Sequence, residues 1–403
     1  MEKYTDVEFE RWLTDIRREL HSNAETGFDL SRTKQIVKRE LSAMGCLVKE
    51  CGRGCIYTVI SGKKEGKCVL LRADMDALPI TEKTDLDFAC KSGNMHACGH
   101  DMHTAMLIGC AFLLMKSKDE FAGCVKLMFQ GAEELLCGCD DAVKSGILED
   151  PSPDFAIFMH VLTGNSLKTG SFIVSGGGVC APAATFFKTE IYGKSVHASQ
   201  ALEGVNALSI GLRAATLMER VCDICGVGGG QCTVTLGQIS AGTCANAISD
   251  RCLIKGCIRS YDEYTIRNVF DKIDVISHKI ADIYHGSAQT VKEGSAPTLL
   301  SDEKLSQKII SALKERFNDE NVIDGEILAR KSAASGKSIS NGSEDFAIIS
   351  HKIPTVMIGL CAGNVSDGYS VGLHNPKTEF DEKVLTVGAE GYYESALKLL
   401  EKY

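Results

Sequence analysis

The chain has 403 residues, of which 44% are hydrophobic and 24% charged, with a formal charge of -9. That length exceeds one ordinary core, so two domains of a soluble globular protein are expected. No basic surplus exists to displace counterions from a nucleic acid or to bind an anionic membrane, and no apolar run is long enough to span a bilayer.

The start carries no apolar export signal, so a cytosolic location is expected. Residues 6–44 alternate charge with apolar residues at helical spacing and read as two helices around the loop His21 to Gly27. Short, strongly apolar runs follow at Cys68–Ala73, Cys124–Phe129, Phe155–Met159 and Pro354–Leu360. Runs apolar on both faces suit central strands of a sheet covered by helices. Met102–Met115 and Val384–Leu400 are predicted to be covering helices, with Asp101 capping the first.

The middle of the chain differs. Strands are predicted at Thr185–Tyr192, Cys232–Ile239, Ala247–Arg259 and Ala288–Glu293, and helices at Asn206–Val221 and Glu263–Tyr284. This β-α-β-β-α-β order is that of a ferredoxin-like α+β sandwich. The glycine-rich segments Ser175–Gly178 and Gly294–Pro297 bracket it as candidate hinges. The expected architecture is α/β: a catalytic domain (1–179 and 294–403) with a mostly parallel helix-covered sheet, interrupted by an inserted domain at 180–293.

Polar residues gather where the apolar runs end. Arg72, Asp74 and Asp76 follow the first, Glu133 and Glu134 the second, His160 ends the third, and His374 lies beyond the fourth. In an open α/β sheet, ligands bind outside the carboxyl ends of the strands. The segment His96-Ala97-Cys98-Gly99-His100-Asp101-Met102-His103 adds a thiol and three imidazoles in eight residues. An extended backbone would place Cys98 and His100 on one face.

Cys98, His100, Glu134, His160 and His374 are one ligand more than a closed tetrahedral site uses. Sharing between two ions satisfies all five and leaves open positions for substrate. Glu133 is then a carboxylate beside the ions and free for general-base work. Asp76 is expected to orient a ligand, and Asp74 is either a ligand or a partner of Arg72. A thiolate favours zinc, while imidazole and carboxylate also suit manganese, cobalt or nickel.

The eighteen cysteines are otherwise scattered through apolar segments, where a thiol behaves as a small hydrophobe. Cys222 and Cys225 have metal-clip spacing but no second pair at zinc-finger distance.

As an ordered set these motifs resemble the metal-dependent amidohydrolases, a family that includes hippurate hydrolase, N-acyl-amino-acid deacylases and plant auxin-conjugate hydrolases. Aminoacylase and zinc carboxypeptidases are its relatives. The resemblance runs through Leu20–Phe28, Arg72–Pro79, His96–Thr104, Phe129–Glu134, His160–Val161, Gly193–Ala198, Gly342–Phe346 and Leu373–Pro376. It implies a di-metal site on Cys98, His100, Glu134, His160 and His374, with Glu133 as the base. It further implies that the inserted domain is a lid that makes a homodimer, with His197 stabilising the oxyanion.

By the same resemblance Asn246 contacts substrate, and Arg259 holds a substrate carboxylate with its planar fork. The implied reaction is hydrolysis of an N-acyl-L-amino acid, with acetyl or aromatic acyl groups, to a carboxylate and a free amino acid. Dipeptidase or carboxypeptidase action by the same chemistry is the alternative. The chain departs from the family at Asn23–Glu25, Ser175–Cys180 and Ser199–Gly204, positions that spare every proposed ligand and the base.

Overall fold

The computed structural model describes residues 5–227, 232–327 and 342–401. Met1–Tyr4, part of the start read for an export signal, lie outside them. The chain forms two compact units. The first holds the described residues up to Cys180, from Leu300 to Ile327 and from Ile348 onward; the second holds Ala181–Leu299 and residues 342–347.

In the first unit, β1 (Lys49–Cys51), β2 (Cys55–Ser61), β3 (Lys64–Asp74), β4 (Ala122–Gln130), β5 (Phe155–Leu162) and β6 (Phe172–Val174) are joined by β13 (Val322–Asp324) and β14 (Thr355–Cys361). The sheet order is β1-β2-β4-β3-β5-β14-β6-β13. Its centre, β4-β3-β5-β14, is parallel throughout, as is β6-β13; the other pairings are antiparallel. The carboxyl ends of the four central strands therefore share one edge. These strands are buried along most of their length because their side chains are apolar on both faces.

Helix α1 (Asp6–Ser22) starts from a capping box between Thr5 and Glu8 and buries Phe9, Leu13, Ile16 and Leu20 on one stripe. Helix α2 (Ser31–Ala43) follows. Helix α3 (His100–Ser117) buries 15 of its 18 residues, so it has no solvent face and needs no amphipathic pattern. The C-terminal helix Val384–Leu400 packs beside it. Asp101 does not cap α3: Gly99, in the left-handed conformation at φ 85°, takes that position. Asp101 lies inside the first turn, where its carboxylate meets Arg17 Nε at 2.8 Å and His21 Nδ1 at 2.7 Å.

The chain passes between the units through the short strands β7 (Gly178–Ala181) and β12 (Leu299–Ser301). The second unit comprises β8 (Ala183–Tyr192), the helix Ala207–Glu219, β9 (Cys232–Ala241), β10 (Arg251–Ser260), the helix Glu263–Ile283 and β11 (Ser287–Ala296). Its sheet is antiparallel, in the order β11-β8-β10-β9. Phe187, Ile191, Ile254 and Ile258 from the sheet pack with Ile210, Val269 and Ile273 from the helices.

The structure differs from two sequence expectations here. Gly294–Ala296 of the segment expected to be a glycine-rich connection belong to β11, where Gly294 pairs with Phe186 and a register shift absorbs Glu293. The strand expected from Ala247 begins at Arg251, because Ala247 pairs instead with His197 in an isolated bridge.

Candidate metal centre

The first unit brings together all six residues expected to hold or serve the metals. Cys98 is central: His160 Nε2 lies 3.4 Å and His374 Nε2 3.2 Å from its sulfur. Two donor triads share it, Cys98-His100-His160 and Cys98-Glu134-His374. His374 Nε2 is 3.5 Å from Glu134 Oε1, and His100 Nε2 is 3.9 Å from that same oxygen. Glu133 stands at the edge, with Oε2 4.0 Å from His100 Nε2.

Local backbone geometry sets these positions. Cys98 and His100 do not converge through an extended segment, as their spacing implied. Left-handed Gly99 turns the chain between them, and a Cβ there would lie 2.3 Å from Val161 Cγ2. Glu133 and Glu134 sit in a tight turn flanked by Ala132 at φ 58° and Leu136 at φ 51°. Two non-glycine residues in that region mark strain held by the surroundings. His374, also left-handed at φ 59°, donates its amide to Ala97 O at 2.9 Å, which ties its loop to that of Cys98.

Hydrogen bonds fix which ring nitrogen faces the centre. His100 Nδ1 donates to the Asp76 carbonyl at 2.7 Å, and His160 Nδ1 to the Val161 carbonyl at 2.7 Å. The lone pair of each Nε2 is thereby turned inward. The Asp76 carboxylate accepts the amides of Glu133 at 3.0 Å and Glu134 at 3.2 Å. Asp76 thus places a ligand, the base and their turn together. Asp74 pairs with Arg72, whose Nη1 is 2.7 Å from it, and accepts from His103 Nδ1 at 2.6 Å, while its carboxylate also forms a donor trio with His100 and His103.

The donor set fits cations. His100 Nε2 and Glu134 Oε1 are buried with no hydrogen-bond partner among the described residues, an arrangement that costs free energy unless something positive lies between them. Burial together with the carboxylates of Glu134, Glu133 and Asp74 pushes the Cys98 thiol well above its ordinary range. Burial opposes charge on His100, yet Asp74, Asp76 and Glu134 prevail and raise it to about 10. Burial lifts Glu134 to about 7, and burial with the neighbouring His103 lowers His160 to about 3. Even with a charge on His100, the carboxylates and remaining lone pairs leave a surplus of donors for divalent cations.

His197, Asn246 and Arg259 belong to the second unit. His197 is exposed, and its Nδ1 accepts the Ser199 amide at 3.2 Å, so a neutral ring carries its proton on Nε2. Ala198 N donates to Asn246 O at 2.9 Å, which makes His197 and Asn246 neighbours. Arg259 lies on β10, paired on both sides and therefore not on a sheet edge; its Nη1 donates to Ser343 Oγ at 2.9 Å.

Sequence reasoning assigned no role to His103 or Tyr392. His103 carried a signal, as the third imidazole of its cluster; Tyr392 sits in an apolar helix and carried none.

A parallel-centred sheet that presents imidazoles, a thiol and paired carboxylates at its carboxyl edge defines a metal-dependent hydrolase. The sequence matches the peptidase family M20/M25/M40 model over residues 70–398, and the chain belongs to that family. It is 32% identical to thermostable carboxypeptidase 1 of Saccharolobus solfataricus over 412 residues, covering 98% of this chain and 97% of that one. It is 31% identical to N-acetyl-L-cysteine deacetylase of Bacillus subtilis over 403 residues, covering 97% and 89%. A solved dinuclear metal binding peptidase of the M20 family from Bacillus subtilis is similar to it with a TM-score of 0.71 at 25% identity, covering 99% and 100%. Among the described residues no helix is long and apolar enough to cross a membrane.

Proposed function

We propose that the protein hydrolyses the amide bond of N-acyl-L-amino acids, acetylated or carrying an aromatic acyl group, to a carboxylate and a free amino acid. The observation that carries this reading is Cys98 shared by two donor triads, with Glu133 at their edge. Cys98, His100, Glu134, His160 and His374 hold two divalent ions, zinc or manganese, with cobalt or nickel as other candidates. When bound, these ions lower the pKa of a water and polarise the amide carbonyl.

Glu133 takes the proton of the attacking water and delivers it to the departing nitrogen. Asp76 holds that carboxylate in place through the Glu133 amide. The remaining roles rest on the family resemblance. His197 donates its Nε2 proton to the oxygen that gains charge, a large term in acyl transfer. Arg259 receives the substrate carboxylate and Asn246 contacts the substrate. The second unit is proposed to be a ferredoxin-like lid through which two copies form a homodimer, in the cytoplasm.

The relative named a carboxypeptidase, which covers nearly the whole chain, supports a second reading: the same residues acting on small peptides. Chelated protein reloaded with each ion should release amine from a panel of N-acetyl and N-benzoyl amino acids. Activity confined to dipeptides or to peptide carboxyl termini moves the conclusion to the second reading. No release from any of them sinks both.

A further inference from the structure

The β3-β5 ladder stops before its strands do. Registered pairing ends at Arg72↔Phe158, yet β3 continues to Asp74 and β5 to Leu162. In a parallel ladder the Arg72 carbonyl and the Met159 amide flank that last registered pair, and the Asp74 carbonyl and the Val161 amide face each other one rung beyond it. Side chains bind the groups at both places. The Tyr392 hydroxyl donates to Arg72 O at 2.7 Å and accepts from Met159 N at 2.8 Å. Thr104 Oγ donates to Asp74 O at 2.9 Å, and His103 Nε2 accepts from Val161 N at 2.8 Å. Because Nε2 accepts, the His103 proton sits on Nδ1, which donates to the Asp74 carboxylate at 2.6 Å. All three side chains are buried, and none is a proposed ligand.

We infer that Tyr392, Thr104 and His103 form a wedge that parts β3 from β5 and thereby sets the spacing of the metal centre. The strand ends it separates lead to different donors. Beyond β3 lies Asp76, which holds His100, Glu133 and Glu134; on β5 lies His160, whose Nδ1 is fixed by the Val161 carbonyl. The His103 ring also packs against His160, with centroids 4.7 Å apart. His103 is a positioning residue: as a neutral imidazole it meets one acceptor and one donor that face each other across the gap. Without the wedge the two rungs would close, drawing His160 toward Asp74 and spoiling the pocket that His160 shares with Cys98 and His100. This inference rests on the reading of the cluster as a metal centre.

The test measures Zn(II) and Mn(II) binding to the full chain by competition with a chromophoric chelator, alongside far-UV circular dichroism of the metal-free protein. His103→Leu is expected to bind roughly 10- to 100-fold more weakly, the usual cost of losing a residue that supports a ligand. His103→Gln, whose amide can both donate to Asp74 and accept from Val161, should stay within about three-fold of wild type. Tyr392→Phe probes the other rung if His103→Leu fails to fold, and weaker binding with an unchanged dichroism spectrum is expected. Wild-type affinity in a folded His103→Leu or Tyr392→Phe protein overturns the wedge, as does an equal loss in His103→Gln and His103→Leu. Absence of divalent-ion binding by the wild type would instead refute the metal-centre reading itself.

Discussion

The carboxylate of Asp76 accepts the backbone amide of Glu133 at 3.0 Å, and its second oxygen accepts the next amide, that of Glu134, at 3.2 Å. One buried side chain therefore fixes the turn that carries both the proposed base and a proposed ligand. Asp76→Asn retains the shape but turns one acceptor into a donor facing an amide proton. We expect kcat and metal affinity to fall together, each by roughly 10- to 100-fold, in steady-state kinetics and metal titration of the same preparation.

Glu133 and Glu134 should separate cleanly by substitution. Glu133→Gln preserves volume and removes the proton acceptor, so kcat should drop by about two to four orders of magnitude, with two ions per chain retained by elemental analysis. Glu134→Gln should lose metal as well as turnover. Full activity in Glu133→Gln would remove it from the role of base.

Metal uptake should release protons. In the metal-free protein burial and the neighbouring carboxylates hold the proton on Cys98. Against burial, Asp74, Asp76 and Glu134 raise His100 to about 10, and burial lifts Glu134 to about 7, so all three are pushed toward their protonated forms. Each must lose its proton to bind a cation, so affinity rises with pH and falls in acid. Calorimetry in buffers of different ionisation enthalpy should find about two or more protons released per site filled at pH 7. Chelation should lower Tm, because an ion that binds only the folded state stabilises it, by about 2.7 kcal/mol at a hundred times its Kd.

The Arg17-Asp101-His21-Glu82 network has its own pH signature. Burial works against charge on His21, but Asp101 and Glu82 outweigh it and hold its pKa above the ordinary value. A raised folded pKa means stability that is fully present below the unfolded value, about 6.5, and is lost as pH rises through the folded one. The urea-unfolding difference between wild type and His21→Gln, both metal-free, should be larger at pH 5.5 than at pH 9. An equal difference at the two pH values would mean that the His21 pKa is the same in the folded and unfolded chains, and a smaller one at pH 5.5 that the fold favours the neutral ring.

The parts of the centre visible in the sequence are those that end strands. Runs apolar on both faces announce central strands, and a polar residue just past such a run stands at the sheet edge where chemistry collects. His160, Glu134 and Asp76 were legible for that reason. Cys98 and His100 were found by spacing alone; the left-handed turn at Gly99 that makes them converge leaves no room for a Cβ beside Val161, a neighbour far away in the chain. Tyr392 and Thr104 had no signature, because a polar group buried in an apolar helix declares its purpose only through a partner on another element. Short strands such as β1 and β6, three residues each, gave too little sequence to show periodicity.

The donors of the cluster are far apart along the chain, and the cluster is complete only when the last of them is in place. Its last donor, His374, is fastened to Ala97 by a backbone hydrogen bond, which can close only after the chain has been made past residue 374. A nascent chain shorter than that lacks one proposed donor and is expected to hold the ions more weakly than the folded protein.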